Sequence, residues 1–326
     1  MLQQRRLGKT GIAVSELALG TWGMASGAYG EVAVGDFVRT VSAAIDAGMT
    51  TFDMAPLWGA GEAERIVGMV VAQRREKMCL ITRSGRHATD HHVHADFAPA
   101  QLRRELEASL VRLGTDYLDV WLLHEPPEDV FEQEAFGELI EALKEEGKIR
   151  AWGASVSNFA RARAALDANA EVLCLVHNLT EGRMLESVRA DVERLEVGIL
   201  ARSPLAYGLL SGRWKMEHQF ESHDHRQRRW DRDTLRARIQ YVDSLTEYFH
   251  PSCASHTALA LRFLLADPST SSVLLGARSA PQITEAVGGI HEPPYLDEAT
   301  LDRIKQGRGQ ALHASSGLGV AREDVL

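Results

Sequence analysis

The sequence predicts an α/β protein folded as a single-domain (β/α)8 TIM barrel over residues 1–326, and three observations carry that expectation. Short apolar runs alternate with longer amphipathic segments from end to end, the pattern of β–α units around a parallel sheet buried on both faces. The apolar runs number eight, enough to close a barrel, whereas an open doubly wound sheet usually stops short of that. No Pro/Gly/Ser-rich linker interrupts the alternation. With 326 residues and 45% hydrophobic side chains the chain can bury one large core, and barrels of roughly 250 residues are commonly one domain.

The strands are expected in order at ELALGT (16–21), MTTFDM (49–54), MCLITR (78–83), YLDVWLLH (117–124), IRAWGAS (149–155), EVLCLV (171–176), VGILARS (197–203) and SSVLLG (271–276). Each is a short apolar run of strand length. Between them lie helical patterns such as DFVRTVSAAIDAG (36–48), AQLRRELEASLVRLG (100–114) and FGELIEALKEEG (136–147), each closed by a glycine suited to a left-handed C-terminal cap. One long irregular insertion, at 213–233, separates the seventh strand from its helix. Loops that follow the strands of a barrel carry its function, so this insertion is expected beside the active-site mouth.

Composition narrows the partners. The formal charge of −9 is spread along the chain without a long basic face, which argues against a nucleic-acid surface. The local run Arg226, Arg228, Arg229 and Arg232 is interleaved with Asp224, Asp231 and Asp233, and reads as a solvated loop or a phosphate contact. Cys79 and Cys174 lie in apolar runs, and with Cys253 they are expected as reduced thiols of a cytoplasmic protein. No apolar stretch reaches the roughly 18 residues needed to cross a bilayer, and MLQQRRLGKTG lacks the apolar region of a secretory signal. The expected partner is a small molecule, with no nucleic acid and no membrane.

Side chains at the C-terminal ends of barrel strands share one mouth, so Asp53, Arg83, His124, Ser155, His177 and Arg202 are expected to converge although they lie far apart in sequence. Five segments then become specific: RRLGKTGIAVSELALGTWG, FDMAPLWGAGEAERIVG, LGTDYLDVWLLHEP, SPLAYGLLSGR and GARSAPQITEAVG. In order and spacing, over nearly the whole chain, they resemble the aldo-keto reductase superfamily.

That resemblance implies hydride transfer between NADP(H) and a carbonyl, assisted by an Asp, Tyr, Lys and His set. Carried over by position, the set falls on Asp53, Trp58, Arg83 and His124, so two of the four match. Trp58 stands where a proton-donating tyrosine would be expected, and Arg83 replaces the lysine. An indole N–H donates a hydrogen bond without releasing its proton near neutral pH, and a guanidinium stays charged, although Arg83 can pair bidentately with Asp53. The cofactor contacts implied by the resemblance take in Thr21, Trp22, Ser155, His177, Arg202, Ser203 and Leu205. Among these, His177 replaces the glutamine usual for the carboxamide and Arg202 the aromatic ring that stacks on the nicotinamide. In GASVSNF the usual serine–asparagine pair becomes Ser155–Val156, with Asn158 offset by two positions. At the adenine end Gly276, Arg278, Gln282 and Glu285 keep the family's residues, and Ala286 replaces an asparagine. Arg278 favours NADP over NAD, because a guanidinium matches a phosphate dianion in geometry and charge.

Trp58, Arg83 and His124 together make a donor-rich, partly cationic pocket suited to a carboxylate, a phosphate or a developing oxyanion. His124 is the one acid or base of that group expected to titrate near neutral pH. Arg202 beside a nicotinamide would disfavour the oxidised, positively charged ring. For Asp53 and Arg83 a purely structural ion pair is the plain rival, and for Trp58 packing and ligand contact are equally open. The run HATDHHVH, with His87, His91, His92 and His94, could suggest a metal site completed by His223 or His225, but it lacks a cysteine or paired carboxylate at ligand spacing. A solvated loop without metal is the expectation. The leading reading is an NADP(H)-binding oxidoreductase with an atypical proton donor, acting on a small or conjugated carbonyl that carries an anionic group. Two alternatives stay open: a lyase, dehydratase or isomerase using the oxyanion pocket, and a non-catalytic NADP(H)- or ligand-binding protein.

Overall fold

A computed structural model describes residues 2–89, 92–290 and 292–314. It opens with a short antiparallel hairpin, β1 (Gln4–Arg6) and β2 (Ala13–Ser15). Eight strands then form a closed parallel barrel: β3 (Leu17–Gly20), β4 (Thr51–Asp53), β5 (Cys79–Ser84), β8 (Leu118–His124), β9 (Ile149–Val156), β10 (Val172–Val176), β11 (Gly198–Arg202) and β12 (Ser272–Gly276). Each strand pairs with the next in chain order, and β12 closes the ring on β3 with Leu274 opposite Ala18 and Gly276 opposite Gly20. These are the eight apolar runs of the sequence, with ends that differ by one or two residues.

The helices follow the same logic. After α1 (Trp22–Ala25), α2 (Val34–Asp46), α3 (Glu62–Val71), α4 (Pro99–Leu113) and α5 (Glu134–Glu145) turn apolar stripes to the sheet. Gly48, Gly114 and Gly147 end α2, α4 and α5 with φ of 93°, 64° and 69°, the left-handed conformation expected of those three glycines. The ring is completed by α6 (Phe159–Asp167), α7 (Arg183–Leu195), α8 (Arg232–Ser244), α9 (His256–Leu265) and α10 (Ala280–Gly288), followed by α11 (Glu298–Ala314).

Strand side chains alternate with a period of two. One set, including Ala18, Ile81, Leu122, Ala151, Cys174, Leu200 and Leu274, fills the barrel interior together with Leu7, Ile12 and Val14 of the N-terminal hairpin. The other set, including Leu19, Phe52, Leu80, Trp121, Leu173 and Ile199, packs under the helices. The hairpin stoppers the N-terminal end of the barrel. Lys9 N donates to Glu196 O at 2.7 Å, and a Cβ placed on Gly198 would meet Leu7 Cδ1 at 2.5 Å. Its strands are only three residues long, too short to display a period, which is why sequence reading assigns them no structure.

Two loops after the strands border the barrel mouth. The segment after β5 forms a second antiparallel hairpin, β6 (Arg86–Thr89) with β7 (His92–Ala95), where the histidine run had suggested a solvated loop. The insertion at 213–233 is mostly irregular and lies between β11 and α8, as its sequence implies. His225 N within it donates to Ala28 O at 3.0 Å, tying it to the loop that follows β3. All three cysteines are buried and free. Among the described residues no helix is long and apolar enough to cross a membrane.

If Leu7 stoppers the barrel, Leu7→Ala will leave a void between the hairpin and the interior layer. The expected cost is about 2–5 kcal/mol of stability, read as a lower urea midpoint at an unchanged slope.

Candidate active site

Asp53 ends β4 and Arg83 lies in β5, and both fall on the inward set of their strands at the C-terminal end of the barrel. Their side chains are almost fully buried and paired. Arg83 Nη2 donates to Asp53 Oδ1 at 2.9 Å and Oδ2 at 2.8 Å, and Nε donates to Oδ1 at 3.3 Å. Arg83 Nη1 donates to Ser155 Oγ at 2.9 Å. The ring of Trp58 lies 5.0 Å from Arg83 Cζ, within range of a cation–π contact. Burial opposes the charge on Arg83, yet the Asp53 carboxylate outweighs it and holds the guanidinium's pKa above its usual value. Neither Arg83 nor Trp58 can release a proton here.

His124 ends β8 and turns inward in the register of Val120 and Leu122. Its ring meets Trp58 edge to face, with centroids 6.4 Å apart and planes at 88°. Burial pushes its pKa well below the usual histidine value, and repulsion from Arg83, Arg86 and Arg202 pushes it further. Near neutral pH His124 is therefore a neutral imidazole able to hydrogen-bond. The sequence expectation of an acid or base titrating near neutrality is revised accordingly.

The next residue, Glu125, takes a φ of 52°, a left-handed conformation uncommon for a glutamate, and its N donates to Ser155 O at 2.9 Å. The Glu125 carboxylate accepts from Arg202 Nη2 at 3.1 Å, Arg161 Nη1 at 3.0 Å and Ser157 Oγ at 2.6 Å. Arg86, the first residue of β6, lines the same cavity. Sequence reasoning missed Glu125, Arg161 and Arg86. Glu125 could have been suspected beside a strand-end histidine, but the two arginines are delivered by α6 and by a hairpin that no periodicity announces.

Of the six strand-end residues expected at the mouth, Asp53, Arg83, His124, Ser155 and Arg202 line one cavity and His177 does not. In β10, Val172 and Cys174 face inward, so Val176 continues the inward register and His177, one position later, falls outside it. Its Nε2 lies 3.5 Å from Asp267 Oδ2 and its ring centroid 6.1 Å from that of Phe263. The assignment of His177 to the nicotinamide is thus corrected to a buried histidine of the outer layer. Cys174 is the inward side chain of that strand beside the ion pair, its Sγ 3.5 Å from Arg83 Nη2. Thr21 also turns away from the cavity. Its Oγ1 donates to Asp53 O at 2.9 Å and its N to the same oxygen at 3.1 Å, leaving Trp22 as the cavity residue of that pair. Asn158 caps α6, accepting from Arg161 N at 2.9 Å, so the offset in GASVSNF does not return its amide to the mouth.

The same cavity, about 520 Å³, runs on to Ser203, Leu205, Gly276, Arg278, Gln282 and Glu285. Arg278 Nη2 donates to Gly30 O at 2.9 Å while its Nε is buried without a partner. Gln282 Oε1 accepts from Arg278 N at 2.7 Å, and Glu285 pairs with Arg213. Gly276 has open space where a side chain would stand. Beyond β11 the backbone takes positive φ at Ser203, Ala206 and Tyr207 (57°, 46° and 61°), a strained run of the kind found at ligand sites. The 213–233 insertion lies alongside. Trp22 meets Tyr29 at 5.1 Å, His225 at 5.1 Å and Tyr207 at 6.0 Å, and Arg226 Cζ lies 4.4 Å from the Tyr29 ring. Arg226 Nε donates to Asp224 Oδ1 at 2.9 Å, so this part of the basic run is packed and paired. On the β6–β7 hairpin His87 and His94 stack with centroids 5.7 Å apart, and His91 lies outside the described residues. His223 packs near Gly30 and His225 near Trp22 instead of joining them. Among the described residues no group of three or more His, Cys, Asp or Glu is arranged to hold a metal.

Both ring nitrogens of His225 are buried without partners. Burial, reinforced by Arg229, lowers its pKa from 6.5 to about 4. The native state thus binds the proton more weakly than the unfolded chain. Stability is full above pH 6.5 and is lost as pH falls toward about 4. Urea unfolding at pH 7.5 and pH 5 should show His225→Gln losing about 1–3 kcal/mol less than the parent across that interval; equal losses would mean that His225 does not couple to folding.

The chain matches the family model described as the aldo/keto reductase family over residues 16–306. It is 31% identical over 297 residues to aldo-keto reductase YhdN of Bacillus subtilis, covering 86% of this chain and 87% of that protein. It is 27% identical over 318 residues to the NADH-specific methylglyoxal reductase of Escherichia coli, covering 91% and 96%. Among solved structures, an aldo-keto reductase of Bacillus halodurans in its holo form superposes with a TM-score of 0.79 at 25% identity, covering 94% of this chain and 96% of that one. A glycerol dehydrogenase of Gluconobacter oxydans shares the fold, with a TM-score of 0.82 at 24% identity, covering 99% of each chain. With its closed eight-stranded barrel, the family match over nearly its whole length and a relative above 30% identity, this chain belongs to the aldo-keto reductase family of oxidoreductases.

Proposed function

We propose that this protein binds NADP(H) and reduces a small carbonyl or conjugated carbonyl, with hydrogen-bond donors in place of an ionisable proton donor. The observation that carries the reading is the single cavity joining Asp53, Trp58, Arg83 and His124 at one end to Arg278, Gln282 and Glu285 at the other. An elongated dinucleotide needs such a continuous cleft. The residues present also suit the group: Arg278 keeps a buried, unpartnered Nε, and repulsion from nearby Arg226 lowers its pKa after burial has done so. A phosphate dianion between them would offset both costs. The E. coli relative is named for NADH, so the preference for NADP in this chain rests on Arg278.

When bound, the reduced cofactor supplies the hydride. Trp58 and the neutral His124 line the mouth and carry ring N–H groups suited to holding a carbonyl oxygen, while the fixed charge of Arg83 would stabilise negative charge developing on it. None of the three delivers a proton, so the proton that completes the alcohol comes from water. Arg202, at the position where an aromatic ring is usual in this family, adds a positive charge that favours the reduced over the oxidised nicotinamide.

Fluorescence titration should show NADPH binding more tightly than NADP⁺, and Arg278→Gln should weaken NADPH about tenfold while changing NADH little. Absence of binding by both NADPH and NADP⁺ overturns the reading. Joint replacement Trp58→Tyr with Arg83→Lys supplies an ionisable donor and its partner. Aldehyde reduction by that variant should exceed the parent's by about 10²-fold or more if proton delivery limits the native site; an unchanged rate would mean that proton delivery is not the limiting step.

A further inference from the structure

We infer that Arg86, Arg161 and Arg202 form a second polar site at the mouth, which binds a carboxylate or phosphate carried by the carbonyl substrate. This deepens the reductase reading and rests on it for the carbonyl. The first ground is charge. At this end of the cavity four guanidiniums, those of Arg83, Arg86, Arg161 and Arg202, face the carboxylates of Asp53 and Glu125. Asp53 is spent on Arg83, and Glu125 is shared between Arg161 and Arg202. No carboxylate among the described residues pairs with Arg86. Four cations against two anions leave two positive charges in excess in a partly desolvated recess, a costly arrangement unless an anion enters it.

The second ground is unmade hydrogen bonds. The Nε atoms of Arg86, Arg161 and Arg202 are all buried without a partner. Glu125 takes an Nη of Arg161 and an Nη of Arg202, so it leaves these Nε–H groups free. A guanidinium that has Nε–H and an Nη–H available grips a carboxylate or phosphate through two parallel bonds. The three arginines arrive on separate elements, the β6 hairpin, α6 and β11, and all lie around the His124–Glu125 step. The depressed pKa of His124, to which Arg86 and Arg202 both contribute, is a consequence of the same excess of positive charge.

This site is separate from Arg278 at the far end of the cavity, and calorimetry can address the two independently. The probes are succinate and inorganic phosphate, titrated into the whole protein at low and at higher salt. Binding of at least one, weakened by salt, is expected, and the tighter of the two identifies the anion class. Arg86→Gln and Arg161→Gln should each reduce that affinity about tenfold, the size of one charge-assisted contact. Arg86→Lys, which keeps the charge, should recover part of it, and Arg278→Gln should leave the Arg86-dependent binding in place, removing at most a second phosphate at its own end of the cavity. No binding of either probe, binding indifferent to Arg86 and Arg161, or binding lost in Arg278→Gln alone overturns the inference. NADPH titrated against the same proteins separates the two readings. If the parent fails to bind NADPH while succinate or phosphate still depends on Arg86 and Arg161, the reductase reading falls and the anion site stands.

Discussion

A guanidinium and a carboxylate buried side by side can persist only where each satisfies the other, and the Asp53–Arg83 pair organises the mouth of this barrel around that requirement. Asp53 belongs to β4 and Arg83 to β5. Ser155 of β9 and Cys174 of β10 take further donors of Arg83, while Thr21, just beyond β3, donates twice to the Asp53 carbonyl. Four strands of the closed sheet, β4, β5, β9 and β10, are thereby linked through two side chains, and Thr21 ties the end of β3 to the Asp53 backbone. Trp58 covers the guanidinium, and His124 meets the tryptophan edge to face. The cost of stranding either charge fixes this floor more firmly than apolar packing would, since apolar groups tolerate sliding.

That stability has a chemical consequence. A lysine in place of Arg83 could lower a tyrosine's pKa and share its proton, whereas the guanidinium holds its own proton more tightly because of Asp53. Burial and the positive charge of Arg83, with Arg86 and Arg202, in turn keep His124 neutral. In the proposed reaction the mouth would stabilise negative charge and leave proton delivery to water. Away from this floor the cavity is bordered by strained backbone at Ser203, Ala206 and Tyr207 and by the aromatic packing of the 213–233 insertion. The reacting end is thus set by electrostatics, and the distal end by loop geometry and ring contacts.

Much of the fold was legible in the chain because eight runs of the right length, separated by amphipathic segments with capping glycines, have few ways to bury both faces of a sheet. Convergence of Asp53, Arg83, His124, Ser155 and Arg202 followed from their strand-end positions. His177 shows the limit of that argument. Its place at the strand end points to the mouth, but the alternation of Val172, Cys174 and Val176 does not, and one residue of register is the difference between the barrel interior and the helical layer. The hairpins at 4–15 and 86–95 were missed for a different reason, since their strands of three and four residues carry no periodic signal. With the second hairpin went Arg86, and with α6 went Arg161.

By itself the sequence determined the barrel, the loops that carry the site and the identity of the substitutions at Trp58, Arg83 and Arg202, because these depend on local period and on residue type at a strand end. Tertiary structure alone decided the electrostatic state of the site. Whether His124 titrates near neutrality depends on how deeply it is buried and on which guanidiniums surround it. Whether Glu125 neutralises one arginine or two depends on the meeting of β8, α6 and β11. Coulomb interactions and desolvation act through space among residues with no fixed spacing along the chain, so only the closed barrel could assign them.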